Sequence, residues 1–384
     1  MNRTNIFAVA WDKPFIDKFA DYTIPGLISS NNLQFLAETR PLRFLLYTDR
    51  ASYTYFLERT QPLEEFGERC VYLFEDTSVD GRTIADHASA FAGSAYKHEI
   101  DRNTQFHAID RTLESGDDET LFIINQDLMI TNGSLSYAQY KLDEGAEAVL
   151  IPLLRLSFEA SNEVLRLLTV GNLKAEDLCR HLPSILHPVS RRSFADSSEF
   201  INYPSTIIWP SGNSGWIARA FFPYTLALRP RENYHRFDST IDYDYALNLA
   251  TSPDRIVIPQ HSGEAFVAKI TTESYLKIEP EPNRFELNSL AHFILAETNQ
   301  AHRQFINKPY RIINDKSVDP ISSGWTETER RSMAALNAVY AFLDILRDQL
   351  PKDSHQARTA IRSHFGDLSE YLSPMRRQQS KDTA

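Results

Sequence analysis

Three observations predict an α/β fold built on a mostly parallel sheet, with a helical carboxyl-terminal region. Short apolar runs recur through the first half of the chain, each bounded by polar or turn residues, as in strands buried on both faces. Between them lie stretches with apolar residues near helical spacing, so strand and helix alternate. That order calls for right-handed crossovers between parallel strands. From about residue 284 onward only helical periodicity remains.

The first strand is the run Ile6–Trp11, followed by the loop Asp12-Lys13-Pro14 and a helix over 15–27 carrying Phe15, Ile16, Phe19 and Tyr22. A second strand, Arg43–Thr48, ends at Asp49; a helix around Ala51–Arg59 and a third strand, Cys70–Phe74, come next. Residues 84–115 hold no proline and one interior glycine and read as one helix. It leads into the stretch that organises the chain. Leu121–Ile124 is a buried strand, and Asn125-Gln126-Asp127 sits where that strand runs out into solvent. In an open α/β sheet that edge binds ligands, because helices cover both faces and leave the strand ends free. Gly133 marks a turn, and Ser134 is placed to cap a helix over Leu135–Glu144.

Further on, Ala146–Leu154 reads as a strand and 158–182 as a helix that stops near Pro183. Residues 183–205 are rich in Ser, Pro and Arg with little periodicity, and a loop of that length is usually functional or mobile. Thr206–Trp209 resumes a strand, Pro210–Gly215 turns, and Trp216–Phe222 and Thr240–Ala250 read as helices. A last strand, Arg255–Pro259, ends at Gln260-His261-Ser262-Gly263. Beyond Glu279-Pro280-Glu281-Pro282 come two apolar stripes, one through Leu287, Leu290, Ala291 and Ile294, the other through Leu336, Val339, Tyr340 and Leu343. A third helix is expected over 354–372. The expected organisation is an α/β domain over 1–279, a helical region over 284–374, and a polar, disordered tail over 375–384.

At 384 residues the chain is long enough for about two domains. Forty Lys plus Arg against 51 Asp plus Glu leave a net charge of −11, so no overall basic field draws in nucleic acid. An acidic protein that handles an anionic ligand needs a metal or a local cluster of donors to hold it. With Cys70 and Cys179 as the two cysteines, a disulfide framework is not expected, which suits a reducing compartment. The apolar run Ile6–Trp11 is too short for a signal peptide, and no apolar stretch approaches the ~20 residues needed to span a bilayer. A cytoplasmic protein is expected, with peripheral membrane contact left open.

Four signals recur in one order: Asn125-Gln126-Asp127 after a strand, Gly212-Asn213-Ser214-Gly215, Asp242-Tyr243-Asp244, and Gln260-His261-Ser262-Gly263 after a late strand. Their order resembles the Rossmann-like A-type fold of nucleotide-sugar-dependent glycosyltransferases. The likeness is to the glycogenin-like group, with its aspartate-x-aspartate, asparagine-serine-glycine, aspartate-glutamine-aspartate and histidine-glycine motifs, and it covers roughly residues 4–270. The resemblance implies a donor that is a nucleoside diphosphate sugar and an acceptor that is the hydroxyl of a glycan, lipid or protein. It also implies that Asp127 and Asn125 coordinate Mn²⁺ or Mg²⁺ on the donor's diphosphate, with His261 completing the metal site. Asn213 and Gly215 match the turn that lets backbone approach the donor sugar. Asp242 and Asp244 match the aspartate pair near the reacting sugar, although residues two apart cannot share one helix face. Ala8, Trp11 and Tyr47, on the first two strands, are the candidates to contact the nucleoside.

Two departures stand out. The first motif aspartate is Asn125, whose amide oxygen is a neutral and weaker ligand, and the lysine expected near His261 is missing, with Lys269 further on. They motivate a rival reading, a non-catalytic nucleotide- or sugar-binding protein on the same scaffold. A nucleotidyltransferase would also use a parallel sheet and carboxylates. It would carry a glycine-rich basic loop after the first strand, where this chain has Ala10-Trp11-Asp12-Lys13-Pro14.

Overall fold

The computed structural model describes residues 2–349 apart from 115, 117, 162–163, 165–166, 168–172, 202–203, 233–243, 276–289, 292, 296–297, 299 and 315–322. Its strands in chain order are β1 (Thr4–Val9), β2 (Leu42–Thr48), β3 (Glu68–Leu73), the hairpin β4 (Ser78–Val79) and β5 (Arg82–Thr83), β6 (Thr120–Asn125), β7 (Leu128–Ile130), β8 (Ala148–Ile151) and β9 (Leu154–Ser157). They continue with β10 (Thr206–Pro210), β11 (Gly215–Ala220), β12 (Tyr224–Leu228), β13 (Ile256–Val257), β14 (Val267–Thr271) and β15 (Tyr310–Ile313).

The expected α/β fold with a mostly parallel sheet is what forms. Seven strands make the central sheet in the order β13-β8-β12-β6-β1-β2-β3. All pairs are parallel except those of β12, which runs antiparallel to β6 and β8. Every residue of β1 and β2 is buried, because helices cover both faces and leave no side for polar side chains. The chain leaves β1 toward β2 on one side and returns to β6 on the other, so the switch point lies between the carboxyl ends of β1 and β6. Two small sheets flank this one, β7-β14-β9 and β10-β11-β15, and a second apolar cluster lies between them, with Met129, Leu156, Trp216 and Ile312 in it.

Several elements differ from expectation for local reasons. Trp216–Phe222 is not a helix: Gly215–Ala220 forms β11, paired on one side by β10 and on the other by β15. A run of that length buried on both faces has no periodicity to separate strand from helix, and tertiary pairing decides. The run Ala146–Leu154 is two strands in two sheets, divided at Pro152, which has no N–H to give to a ladder. Residues 84–115 make two helices, Ile84–Ser89 and Ser94–Leu113, broken before Gly93 at φ 61°. Pro183 lies inside the helix Ala175–Ile185 rather than ending it. Ser134 is the first helical residue and Gly133, at φ 90°, holds the cap position; the Ser134 hydroxyl donates to Phe266 O. The irregular stretch after Pro183 carries a short helix, Pro188–Arg191. The third helix expected over 354–372 and the tail lie outside the described residues.

The carboxyl-terminal region is not helical throughout: it contributes β15 to the sheet with β11. The helix Ser323–Gln349 places Leu336, Val339 and Leu343 in one apolar cluster with Ile207, Trp209 and Phe221. Arg219, 2% exposed, fastens this contact by donating to Ser332 Oγ at 2.8 Å and to the carbonyls of Ile306 and Asn307 at 3.2 and 2.8 Å. Burial lowers its pKa to about 10, so it stays charged near neutrality. Among the described residues no helix is long and apolar enough to cross a membrane.

One buried polar pair predicts a pH dependence. His107 Nδ1 lies 2.7 Å from Tyr47 Oη, and burial lowers its pKa to about 4, with the Arg111 charge adding to the effect. The ordinary imidazole value is near 6.5. Above that pH both folded and unfolded chains are neutral there and stability is unaffected. Between about 6.5 and 4 only the unfolded chain takes up the proton, so stability falls as the pH falls, and below 4 the effect is flat. In urea unfolding at pH 7.5 and 5, a His107→Gln variant is expected to lose less stability between the two than the wild-type chain.

Candidate functional site

The organising stretch lies at the switch point. Asn125 ends β6 in register with Val9 of β1, and its N–H donates to Tyr224 Oη at 3.3 Å. That hydroxyl in turn donates to Ile123 O, so Tyr224 from the antiparallel strand closes the end of β6. The chain then turns sharply into β7. Thr23 Oγ1 accepts from Leu128 N at 3.1 Å, and Asp127 O accepts from Ile270 N at 2.8 Å. The loop 125–128 is thus held from both sides by its own backbone, leaving the Asp127 side chain for other work.

Asp127 has 13% of its side chain exposed, and its Oδ1 atom is buried without a hydrogen-bond donor. The nearest cation is Lys269, with Nζ 3.3 Å from that oxygen. Lys269 stands on β14, in register with Leu128 of β7 on one side and with Arg155 of β9 on the other. Two cations therefore face each other on neighbouring strands. Arg155 donates from Nη1 to Thr271 Oγ1 at 3.2 Å, and its backbone N–H donates to Ser190 Oγ at 2.9 Å. Among the described residues no carboxylate pairs with Arg155. Asn125, Arg155, Ser193, Phe222, Tyr224 and Lys269 are among the residues that line a cleft of about 170 Å³ beside the loop.

His261 follows β13 and forms a backbone bridge to Arg311 of β15. Its Nδ1 atom is buried with no hydrogen-bond partner, and Gly263 lies close enough that a Cβ there would stand 3.1 Å from it. Asn213 falls in the short turn Gly212–Ser214, its side chain outside the described residues. Gly215, at φ 135°, uses its lack of a Cβ against β15: a Cβ would meet Ile312 O at 1.9 Å. Asp244 opens the helix Asp244–Leu249, while its side chain and all of Asp242 lie outside the described residues. Among the described residues no three His, Cys, Asp or Glu side chains converge as a ready-made metal cage.

Of the three nucleoside candidates, two are core residues. Ala8 is 1% exposed in mid-strand, between Leu46 and Ile124. Tyr47 is fully buried, its ring stacked on Tyr72 with centroids 5.1 Å apart. Parallel strands covered on both faces leave these rings and methyls no open side. Trp11 lies just past β1, 8% exposed, against Phe15 and Phe74 at 5.8 and 5.7 Å between centroids. Past Trp11, Asp12 takes φ 59°, a value that side chains other than glycine rarely adopt.

Arg155 and Tyr224 were not among the residues expected at the site, and Lys269 was expected only as a distant lysine. For Arg155 and Lys269 the signal in the sequence is a cation set inside a mostly apolar strand, Leu-Arg-Leu-Ser and Val-Ala-Lys-Ile-Thr. A charge in such a run has to find a partner or a ligand.

Numbered along the central sheet alone, the strand order is 3-2-1-4-6-5-7, with the sixth antiparallel. In fold, the chain resembles the A-type glycosyltransferases. No protein-family model matches it, and no curated protein matches it either. Solved structures that overlap it in part include TarS of S. aureus, at 10% identity over 40% of this chain and 22% of that one, with a TM-score of 0.26. Mouse xyloside xylosyltransferase 1 in its apo form is 10% identical over 43% of this chain and 57% of its own, with a TM-score of 0.30. GalNAc-T7 with UDP, GalNAc and Mn²⁺ is 6% identical over 87% of this chain and 55% of its own, with a TM-score of 0.37. The chain spans between about a fifth and just over half the length of these proteins. Overlaps at these scores carry no weight for function.

Proposed function

We propose that the chain transfers a hexose from a nucleoside diphosphate sugar to an acceptor hydroxyl. The observation that carries this reading is the loop Asn125–Asp127 at the switch point, with the Asp127 Oδ1 atom buried without a hydrogen bond and a lysine ammonium 3.3 Å away. Such a point, with backbone clamped and a charged pair beside a cleft, is where an open α/β sheet binds a ligand. The nucleoside would lie over the β1–β3 half, with Trp11 at its edge.

By the chemistry of their donor atoms, Asp127, Asn125 and His261 are the residues that would take a divalent ion. Asp127 Oδ1 and His261 Nδ1 are both buried atoms without a hydrogen bond, the first facing Lys269 Nζ at 3.3 Å, and a carboxylate with an imidazole suits Mn²⁺ better than a soft metal. Asp127, with Asn125 and His261, would hold the ion, which when bound neutralises charge on the donor's diphosphate. The chain's own contribution is electrostatic and positional. Lys269 supplies a fixed positive charge beside the loop, where negative charge grows as the bond from the anomeric carbon to the diphosphate breaks. Asp242 and Asp244 are the carboxylates proposed to stand near the reacting sugar, and the strand ends orient donor and acceptor.

A second reading, nucleotide binding without turnover, is favoured by Asn125, since one acidic ligand is replaced by an amide. A thermal-shift panel of UDP, GDP and CDP, each with and without Mn²⁺, separates the readings when followed by a turnover assay. For one nucleotide a metal-dependent rise is expected, since a ligand at 100 times its Kd adds about 2.7 kcal/mol. Binding without sugar transfer or donor hydrolysis would leave the non-catalytic reading. No shift with any nucleotide would overturn both.

A further inference from the structure

We infer that the cleft beside the loop binds a phosphate group carried by the acceptor, with Arg155 as its main contact. This rests on the transferase reading for the word acceptor, but the anion site stands on its own geometry. Arg155 and Lys269 are directly opposed on adjacent strands of the sheet β7-β14-β9. Like charges placed that way destabilise a sheet unless an anion answers them. Lys269 has its answer in Asp127, whereas the Arg155 guanidinium has, among the described residues, one threonine hydroxyl at 3.2 Å. Glu159 and Glu273, just past the ends of β9 and β14, accept from Ser157 Oγ at 3.3 and 2.6 Å and form no ion pair with Arg155. The guanidinium therefore opens into the cleft with positive charge unspent, in a chain whose net charge is −11.

The position of the cleft gives the ligand its role. It lies on the β12 side of the switch point, lined by Tyr224, Leu154 and Ser190, and away from the β1–β3 half proposed above for the nucleoside. A planar fork and a point charge beside serine hydroxyls match a phosphate monoester, which offers several oxygens and close to two negative charges. A neutral sugar would leave the Arg155 charge unanswered.

The test is calorimetric titration of the full chain with glucose 6-phosphate and with glucose, each with and without saturating UDP. Glucose 6-phosphate is expected to bind at least tenfold more tightly than glucose, with UDP present or absent. In Arg155→Gln the ratio should fall to within twofold, Arg155→Lys should restore part of it, and UDP affinity should stay within twofold in both. An unchanged melting temperature in either variant guards against misfolding as the cause. Equal binding of the two sugars overturns the inference. So does loss of glucose 6-phosphate binding on adding UDP, which would mean that the donor's own diphosphate fills the cleft. A chain that discriminates the two sugars but binds no nucleoside diphosphate would sink the transferase reading and leave the phosphate site intact.

Discussion

Replacing Asp127 with alanine is expected to lower turnover by about 10²- to 10³-fold, the usual scale for removing one fixed electrostatic contact from a transition state. The fold should survive it. The side-chain oxygen nearest Lys269 makes no hydrogen bond, and the loop is held through backbone contacts to Thr23 and Ile270 that alanine retains. The ion pair is mostly buried, with 24% of the Lys269 and 13% of the Asp127 side chain in solvent, so its loss is expected to cost about 1–3 kcal/mol. Steady-state turnover and urea unfolding on the same preparation decide the matter. Wild-type turnover in Asp127→Ala would remove the loop from the mechanism. A large stability loss would instead make the carboxylate a structural partner of Lys269. Titrating Mn²⁺ into both proteins adds a readout that does not depend on turnover, and the variant should bind the ion more weakly.

The largest effect on stability is expected at Gly215. It combines φ 135°, where a side chain is strained, with a Cβ position 1.9 Å from the Ile312 carbonyl oxygen. Backbone cannot swing aside as a flexible side chain can, and the contact lies in the pairing of β11 with β15, in register at Gly215 and Ile313. Alanine at 215 should therefore cost about 3 kcal/mol or more, from the two penalties together. Gly212 supplies the control, because it also has positive φ, at 56°, but nothing within 4 Å of its Cβ position. Gly212→Ala should cost about 1 kcal/mol, the strain alone. Equal losses in the two variants would show that the approach of β15 is not tight.

The central sheet was readable because of how it is buried. Strands covered on both faces need unbroken apolar runs, and Ile6–Trp11, Arg43–Thr48 and Leu121–Ile124 contain β1, β2 and β6 to within a few residues. The same property hid β11 and β12. Their runs are apolar too, but each lies beside other apolar residues, and nothing in five or six letters separates a strand paired on both sides from a turn or two of helix. Sheet β7-β14-β9 escaped for another reason. Its strands are short and distant in sequence, and only the pairing of β14 with β7 on one side and β9 on the other makes them a sheet.

Within the site, the sequence by itself determined the loop Asn125-Gln126-Asp127, since a polar triplet after a buried strand in an alternating α/β pattern has to emerge at the ligand-binding edge. It did not determine the partners of that loop. Lys269 lies 142 positions from Asp127 in sequence and 3.3 Å away in space, and Arg155 reaches the same cleft from a strand that leaves the central sheet at Pro152. Tyr47 and Ala8, expected to contact the nucleoside, are core residues, because β1 and β2 are covered on both faces. Local patterning records which face of an element meets apolar surroundings. Which charges meet across strands is set by register and by the return of distant segments to one edge, and that information exists only once the chain has folded.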